Sequence, residues 1–532
     1  MKIDFGRYAV NKDYLVVFVT PEIMIPEFGE PACGANFRGG LGILAGDIME
    51  GLAKKNIKAL GIAPFYDLHW MTREKISYEN TPAKPLFKLK VGFNGKAKMV
   101  GVMKMERAGL ELFGIQSPEI FDTLYTADRW QRLQQEVLIG NAVPSLLKKL
   151  GVRPDIIWLQ EGHTAVCIPA TKGDPYFEGT KFLFTTHTPA PEGMEKFHGN
   201  WICELGVDAN LYHQIFLKDG LIDMTGAAMI LADRVTAVSQ EHCETTQKIF
   251  PEFAQKITGI TNGSSFKLWT SPRVKAARKA ADRLRFWEAH QEDKAELIKF
   301  IFEKSGKNFS LEKPQMGWVR RLAWYKNQLP MMAPVIKAIC AEKGAVTETS
   351  YGPLEGLGIQ VFCSGRAHES DSGCLGWMAE FERWTRDELA DRFVFLPQYD
   401  LKTLKLSVQG CDIWFSSPMP GWEACGQSDQ RAAFNANVNL STYGGGAREH
   451  IKEYNPVTGE GSGFFIEPYD PRTVYNKLKI ISDLYYAWVN AGDSRWLNLR
   501  MNSFEESKAL SALNMIDCYE KIFQKLLASK TS

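Results

Sequence analysis

Short apolar segments rich in β-branched residues alternate with segments of helical periodicity along most of the chain. In the first half this pattern predicts strands at Tyr14–Thr20, Ile57–Phe65, Asp155–Gln160, Lys181–Thr188, Arg234–Ser239 and Ile257–Thr261. In the second half it predicts strands at Trp318–Leu322, Ile359–Ser364, Phe393–Pro397, Asp412–Ser416 and Phe464–Ile466. Strands that alternate with helices are joined by crossover connections and form parallel sheets. The pattern therefore predicts an α/β protein with two doubly wound domains.

A charged helical stretch from Ser271 to Ser310 separates the two series of strands. A chain of 532 residues is too long for one ordinary core, which also favours two domains. We assign residues 1–270 to a first Rossmann-like domain and residues 271–484 to a second. The end of the chain is helical without an intervening strand, so it must pack on something already folded. We expect residues 485–532 to return to the first domain.

The charge and cysteine content exclude several classes of protein. The chain has 63 Lys and Arg against 62 Asp and Glu, a net charge of +1, which gives no overall field to hold nucleic acid or an anionic membrane. No apolar run is long enough to span a membrane, and the N-terminus lacks the features of a signal peptide. Ten Cys without a Cys-x-x-Cys pair predict neither a disulfide framework nor a metal site. These features predict a cytoplasmic enzyme, and they leave homo-oligomerisation open.

A glycine-rich turn precedes an amphipathic helix near the N-terminus. Gly39, Gly40 and Gly42 come directly before or within the first turn of that helix. Glycines at such a position let backbone N–H groups and the helix N-terminus approach a phosphate. An ordinary tight turn is the alternative explanation of this short motif.

Polar side chains follow two consecutive strands of the first domain. Glu161 and His163 come after the strand that ends at Gln160, and His187 comes near the end of the next one. In open parallel sheets ligands bind at the carboxyl ends of the strands, so these side chains are candidate ligand contacts. The alternative is a capped turn whose histidine is bonded to the backbone.

Cations gather at the corresponding edge of the second domain. Arg320, Arg321 and Lys326 lie at the end of its first strand, and Arg366 follows the next strand. Guanidinium and ammonium groups in this arrangement suit a phosphate or a diphosphate. The alternative is an ordinary basic turn exposed to solvent, which would contain the same residues without binding a phosphate.

A loop of small residues, Pro420–Gly426, enters a helix in the second domain. Cys425 and Gly426 allow a ligand to approach the backbone closely, and the Glu423 carboxylate could accept hydrogen bonds from sugar hydroxyls. The alternative is an ordinary helix start, capped by Ser428 or Asp429.

Taken together and in order, these segments resemble the α-glucan phosphorylase family, whose members act on glycogen, starch or maltodextrin. The similar segments are Phe37–Asp47, Asp128–Gly140, Gln160–Ala165, Thr186–Thr188, Ile260–Gly263, Trp287–Lys294, Arg320–Lys326, Gly365–His368 and Glu423–Arg431. The resemblance implies the GT-B glycosyltransferase fold, in which two Rossmann-like domains face each other across a cleft. It also implies transfer at the anomeric carbon of glucose with retention of configuration.

The resemblance implies a role for each matching residue. Gly39, Gly40 and Gly42 would approach the donor phosphate, which Arg321 and Lys326 would bind, with Arg366 as a further cation. Glu423 and Gly426, beside Cys425, would hold glucose hydroxyls, and the backbone carbonyl of His187 would face the developing oxocarbenium ion. The residues expected at the acceptor or sugar are Glu161, His163 and Asn262.

One position departs from the family pattern. In phosphorylases the last motif ends in the lysine that forms an imine with pyridoxal phosphate, and this chain has Arg431 there. A guanidinium group stays protonated and does not form that imine, so we expect no covalently bound cofactor.

The related glycogen and starch synthases share the fold and use an Arg/Lys pair on a nucleoside diphosphate sugar. We therefore predict a retaining, glycogen-synthase-like α-glucosyltransferase that uses UDP-glucose or ADP-glucose and an α-1,4-glucan or maltooligosaccharide acceptor. The alternatives are a pyridoxal-phosphate-dependent α-glucan phosphorylase, which acts on glucose 1-phosphate, and a catalytically inactive glucan-binding protein.

Overall fold

The chain folds into two compact units. The computed structural model describes residues 14–207, 220–280, 282–368 and 371–528. Unit 1 comprises Met1–Gly263 and Ala512–Ser532, and unit 2 comprises Ser264–Ser511. Each unit is built on its own sheet and has its own hydrophobic core.

Most of the described strands of unit 1 form a single sheet. They are β1 (Val16–Val19), β2 (Ala59–Pro64), β3 (Lys84–Phe93), β4 (Lys96–Arg107), β5 (Leu110–Gln116), β6 (Ile156–Gln160), β7 (Lys181–Thr185), β8 (Lys196–His198), β9 (Leu221–Asp223), β10 (Arg234–Ala237) and β11 (Ile257–Gly259). The sheet has the order β11-β10-β7-β6-β1-β2-β5-β4-β3, and β8 pairs with β9 separately. The pairs β3–β4 and β4–β5 are antiparallel and the other pairs of the large sheet are parallel.

The helices of unit 1 cover this sheet. They are α1 (Ala32–Ala35), α2 (Gly40–Lys54), α3 (Arg129–Leu150), α4 (Cys167–Thr171), α5 (Gly199–Glu204), α6 (Met224–Leu231), α7 (Gln240–Ile249) and, at the end of the chain, α18 (Ala512–Ala528). The longest, α3, begins with the Asp128 carboxylate accepting two backbone N–H groups and ends at Gly151 in the left-handed conformation. Both are ordinary helix-end signals.

Unit 2 is built on a sheet whose strands are all parallel. Its strands are β12 (Gln315–Val319), β13 (Val346–Thr349), β14 (Gly352–Glu355), β15 (Gln360–Ser364), β16 (Phe393–Leu396), β17 (Ile413–Ser416), β18 (Val438–Thr442) and β19 (Gly463–Ile466). The sheet has the order β16-β15-β12-β17-β18-β19, and β13 and β14 form a separate hairpin.

The helices of unit 2 come before its first strand, between its strands and after the last one. They are α8 (Phe266–Trp269), α9 (Pro272–Ala280), α10 (Arg283–Ser305), α11 (Gln328–Met332), α12 (Ile336–Cys340), α13 (Ser372–Arg383), α14 (Leu401–Gly410), α15 (Ser428–Ala433), α16 (Pro471–Ala491) and α17 (Arg495–Ser507). None of the helices in the described ranges combines the length and the apolar character needed to cross a bilayer.

The boundaries between the units differ from those predicted. The chain passes from unit 1 to unit 2 at Gly263 rather than at residue 270, and it returns at Ala512 rather than at 485. The prediction that all of 485–532 packs on the first domain is therefore wrong for α17. Trp496 and Leu499 of that helix are fully buried in the core of unit 2, and Arg500 bonds to Asp412 there. Within the described part of 485–532, it is α18 that packs on unit 1, where the rings of Tyr519 and Trp158 lie 4.2 Å apart between centres, tilted by 42°.

The strand orders show where each sheet places its ligand-binding edge. In unit 1 the order reverses at β1, which lies between β2 and β6, and in unit 2 it reverses at β12, between β15 and β17. Adjacent connections leave in opposite directions at such a point and open a crevice at the carboxyl ends of the strands. Residues that follow β1, β6, β12 and β17 are therefore the candidates for function.

Candidate functional site

In unit 2 the crevice brings together three charged residues from two loops. Arg320 directly follows β12, and Lys326 ends a short 3₁₀ turn, Trp324–Lys326. Glu423 lies in the loop between β17 and α15. Because β12 pairs with β17, residues that are about a hundred positions apart in sequence meet at this edge.

One carboxylate oxygen of Glu423 binds both cations. The Lys326 Nζ lies 2.5 Å from Glu423 Oε1, and Arg320 also donates to that oxygen. Arg320 donates a further hydrogen bond, of 2.6 Å, to the Ser416 hydroxyl at the end of β17. Burial alone would raise the pKa of Glu423, but the charges of Arg320 and Lys326 lower it from 4.5 to about 2. The carboxylate is therefore ionised at neutral pH.

The second carboxylate oxygen of Glu423, Oε2, is buried and has no hydrogen-bond partner in the described part of the chain. Glu423 also lines a pocket together with Gly426 and Asp429. A buried acceptor without a partner is costly, so it indicates a site that is completed by a bound molecule or by water. An ionised carboxylate can only accept hydrogen bonds, and hydroxyl groups are suitable donors.

Gly426 packs closely against this carboxylate, so the position favours a residue without a side chain. A Cβ atom added to Gly426 would lie 3.2 Å from Glu423 Oε1 and 3.4 Å from an Arg320 nitrogen. Cys425 is half-buried and contacts the Gln430 side chain through its sulfur, at 3.8 Å. The structure thus places the predicted residues Lys326, Glu423, Cys425 and Gly426 in one region of unit 2.

The other two predicted cations lie at the same edge but are more accessible. Arg321 is half-buried, and its charge is among those that lower the pKa of the buried Tyr325 hydroxyl against the effect of burial. Arg366 is exposed, and its backbone carbonyl accepts a hydrogen bond of 3.1 Å from the Leu322 N–H. This bond ties the turn after β15 to the turn after β12.

Arg431 is buried in helix α15 rather than extended toward solvent. Its guanidinium group lies 4.5 Å from the centre of the Trp269 ring and donates a hydrogen bond of 3.0 Å to Gln427. Stacking of a guanidinium on an indole is a favourable cation–π contact. The side chain that stands at the predicted imine position is therefore part of the packing of unit 2.

In unit 1 the glycine-rich turn is organised around Glu22, a buried residue that follows β1. Its Oε2 accepts hydrogen bonds from the backbone N–H groups of Arg38, at 2.8 Å, and Gly39, at 3.4 Å, and its Oε1 accepts one from the Tyr125 hydroxyl. Backbone N–H groups of the turn that was predicted to bind a phosphate are thus hydrogen-bonded to a carboxylate of the chain itself.

The three glycines of this turn differ in what surrounds them. A Cβ on Gly42 would lie 2.5 Å from the Cβ of Phe37, so close packing requires glycine there. Around Gly39 and Gly40 nothing lies within 4 Å of an added Cβ. The space on the Cβ side of these two positions is therefore open, although the Gly39 N–H is donated to Glu22.

Glu161 joins the ends of two neighbouring strands of unit 1. Its carboxylate accepts hydrogen bonds from the backbone N–H groups of Gly162 and His187, at 3.1 and 2.8 Å, and from the Thr188 hydroxyl, at 3.0 Å. Its backbone has φ = 61°, a conformation that costs energy in a residue other than glycine. Glu161 thereby fixes the turn that carries His187, whose ring bonds to Gln160 at 2.9 Å.

The remaining predicted residues of unit 1 lie nearby at the same edge. Burial lowers the pKa of His163 to about 4, so its imidazole is neutral, and neither of its buried nitrogens has a hydrogen-bond partner among the described residues. Asn262 is buried and donates its backbone N–H to Val238 at 3.0 Å. Within the described ranges, no group of three or more His, Cys, Asp or Glu residues is arranged to hold a metal ion.

Comparison with known proteins agrees with this architecture. Residues 16–261 match the family model of the starch synthase catalytic domain. That match falls within unit 1. The catalytic domain of starch synthase IV from Arabidopsis thaliana, solved with ADP and acarbose, superposes with a TM-score of 0.77 at 18% identity over 97% of this chain and 100% of that one. The chain has the GT-B fold.

Curated relatives include both synthases and phosphorylases. Maltodextrin phosphorylase of Thermococcus litoralis is 25% identical over 93% of this chain and 69% of its own length. Glycogen synthase of Clostridium beijerinckii is 22% identical over 91% of this chain and 96% of its own length. These findings confirm the predicted resemblance and the prediction of a glycosyltransferase related to glycogen synthases.

The sequence did not reveal how two residues, Arg320 and Glu22, organise these sites. Arg320 was grouped with other cations, but a run of Arg-Arg does not reveal which guanidinium turns inward to Glu423. Glu22 lies at the end of β1, the same type of position as Glu161, and that placement was the available signal.

Proposed function

We propose that this chain transfers glucose from a nucleoside diphosphate glucose to the end of an α-1,4-glucan, with retention of configuration. The observation that carries the proposal is the Glu423 carboxylate, which binds Lys326 and Arg320 through one oxygen and offers the other, buried and without a partner among the described residues, to a ligand. A sugar hydroxyl fits that oxygen, and phosphates fit the neighbouring cations. The ADP bound to the Arabidopsis synthase supports a nucleotide donor.

The cations account for how the leaving group would depart. As the bond between the anomeric carbon and the donor oxygen breaks, negative charge develops on the diphosphate. Lys326 has three N–H groups, and its contact with Glu423 uses one of them, so it can donate to a phosphate oxygen as well. Arg321 supplies a second positive charge at the same strand end. Cations that are already in place can lower such a barrier by several kcal/mol.

We propose that these residues of unit 1 bind the sugars. Gly39 and Gly40 leave open space on the Cβ side of the α2 turn, and Glu161 holds the turn of His187 in place. We assign the acceptor glucan to Glu161, His163 and Asn262, with the His187 carbonyl facing the reacting carbon. His163 would meet sugar hydroxyls as a neutral ring, since burial lowers its pKa to about 4.

The residues around Arg431 do not fit covalently bound pyridoxal phosphate. The guanidinium is packed on Trp269 and hydrogen-bonded to Gln427, and it cannot form an imine. Asp429, a buried carboxyl group near Arg320, lines the adjacent pocket and would repel a further phosphate when ionised. We therefore derive no step through this cofactor.

A donor screen tests the proposal directly. The purified chain is incubated with a maltooligosaccharide and, separately, with UDP-glucose, ADP-glucose or glucose 1-phosphate, the last with and without pyridoxal phosphate. Chain extension from a nucleotide sugar alone is the expected result. Extension only from glucose 1-phosphate with pyridoxal phosphate would establish the phosphorylase alternative. Oligosaccharide binding without turnover of any donor would establish an inactive glucan-binding protein.

A further inference from the structure

We propose that unit 1 carries a further binding site, for a small ligand with two or more phosphate groups, in the groove between strand β3 and helix α3. The groove has a volume of about 780 Å³, which lies within the usual range for small-molecule sites. It is formed within unit 1, whereas the proposed donor site lies in unit 2. The proposal does not depend on the proposed function.

The groove concentrates positive charge in a chain that is almost neutral overall. Its lining contains five lysines and a single carboxylate: Lys88, Lys90, Lys96, Lys148, Lys149 and Asp174. The whole chain has a net charge of +1. Clustering like charges disfavours the folded state, so such an excess calls for a compensating anion.

The lysines that face the groove differ from others on the same strands. On β4, Lys98 pairs with Glu119 at 2.7 Å and Lys104 pairs with Glu111 at 2.5 Å. In contrast, Lys88, Lys90 and Lys96 are exposed and have no carboxylate partner within the described ranges. These two lysines of β4 are thus neutralised outside the groove. Within the groove Lys148 pairs with Asp174 at 2.7 Å, and the other four lysines of the lining have no carboxylate partner among the described residues.

Protection of a sheet edge explains only part of this pattern. β3 is the edge strand of the large sheet, and lysines on an edge strand discourage pairing with another chain. That role accounts for Lys88 and Lys90. It does not account for Lys149, which reaches the same groove from helix α3 and, unlike Lys148, has no carboxylate partner among the described residues.

The floor of the groove indicates what the phosphates would be attached to. Leu89, Phe93 and Pro144 provide apolar surface between the lysines. Gly92 and Gly95 lie at the β3–β4 turn, where nothing stands within 4 Å of an added Cβ. A sugar ring could lie on this surface while its phosphate groups reach the flexible ammonium groups.

Calorimetric titration tests the site. The probes are glucose 1,6-bisphosphate, a phosphorylated maltodextrin and the same maltodextrin without phosphate. The background is Lys326→Ala, which removes a phosphate-binding group from the proposed donor site. The test variant is Lys88→Ala/Lys90→Ala/Lys96→Ala, and the matched control is Lys84→Ala/Lys98→Ala/Lys104→Ala, which removes the same charge outside the groove lining.

We expect the Kd of the phosphorylated probes to rise about tenfold or more in the groove variant and less than about twofold in the control. The probe that binds more tightly identifies the source of the phosphate, a free sugar phosphate or a phosphorylated glucan. Equal weakening in both variants would overturn the proposal, because it would show a general charge effect. Absence of binding in the Lys326→Ala background would also overturn it, as would equal affinity for the maltodextrin without phosphate.

Discussion

Replacing Glu423 by Gln removes the negative charge that binds Arg320 and Lys326 in the unit 2 site. Arg320 and Lys326 lower the pKa of this carboxyl group from 4.5 to about 2 despite its burial. One pKa unit corresponds to about 1.4 kcal/mol, so the folded protein favours the ionised form by about 3 kcal/mol. Glutamine has nearly the same shape as the neutral acid and cannot ionise. We therefore expect Glu423→Gln to lower the free energy of unfolding by about 3 kcal/mol at pH 7.

The pH dependence distinguishes this charge effect from a general defect in packing. A pKa that is lowered on folding stabilises the protein above the unfolded value of 4.5, and the contribution is lost as the pH falls toward 2. The difference between wild type and variant should stay constant from pH 7 to 5 and shrink to about 2 kcal/mol at pH 3.5.

Urea unfolding followed by circular dichroism measures this difference at each pH. Glu460→Gln, at an exposed position of the same unit, is the control and should change stability by less than about 0.5 kcal/mol. A difference below about 1 kcal/mol at pH 7, or one that grows as the pH falls, would refute the reasoning.

Five further substitutions test other parts of the structure. Lys326→Ala should lower turnover in the donor screen by at least about a hundredfold with an unchanged circular dichroism spectrum, and a near-normal rate would remove its role at the phosphate. Arg431→Lys should lower the free energy of unfolding by about 1 kcal/mol through loss of the indole contact. Neither the wild type nor this variant should catalyse phosphorolysis with added pyridoxal phosphate, and an imine absorbance band in the wild type would contradict our assignment. Asp412→Asn should cost about 3–5 kcal/mol in urea unfolding, because it leaves buried Lys and Arg side chains without their counterion. Gly42→Ala should cost about 1–3 kcal/mol by steric overlap, whereas Gly40→Ala, with open space around it, should cost less than about 0.5 kcal/mol, and equal costs would contradict the packing argument.

The parallel strands were predictable because their signal is local and continuous. The prediction of Asp155–Gln160 matches β6 to within one residue, and that of Ile359–Ser364 matches β15 equally well. Strands buried on both faces appear in sequence as short apolar runs between turns. The two series of such runs were sufficient to predict two α/β domains.

The antiparallel part of the first sheet was missed for the same physical reason. Strand β3 alternates exposed lysines with buried Leu89 and Val91, so it lacks a continuous apolar run. By sequence, the glycines and Pro353 of Glu348–Gly358 are typical of a surface loop, but most of this stretch forms the β13–β14 hairpin. The apolar periodicity of Ser503–Leu527 is typical of one helix, but the helix is interrupted near Ser511, where the chain passes from one unit to the other. Such features depend on tertiary contacts that a single sequence does not display.

The edge of each sheet was predictable, but the pairing of charges at that edge was not. Sequence order places Arg320, Arg321 and Lys326 after one strand and Glu423 after another. It does not show that a single carboxylate oxygen takes both Arg320 and Lys326, because that depends on side-chain directions in two separate loops. The same holds for Glu22, whose contact with the glycine-rich turn joins residues sixteen positions apart.

The cations around Glu423 have two different roles, although they were predicted from the sequence to form one phosphate-binding group. Arg320 is buried and bonded to both Ser416 and Glu423, so its guanidinium is committed to holding the carboxylate in place. Lys326 contacts the same oxygen through one of its three N–H groups and can still donate to a phosphate. Loss of Lys326 should therefore affect turnover more than stability, since Arg320 continues to neutralise Glu423. Loss of Glu423 should affect both, because it removes the acceptor for the sugar and leaves two neighbouring cations without their shared counterion.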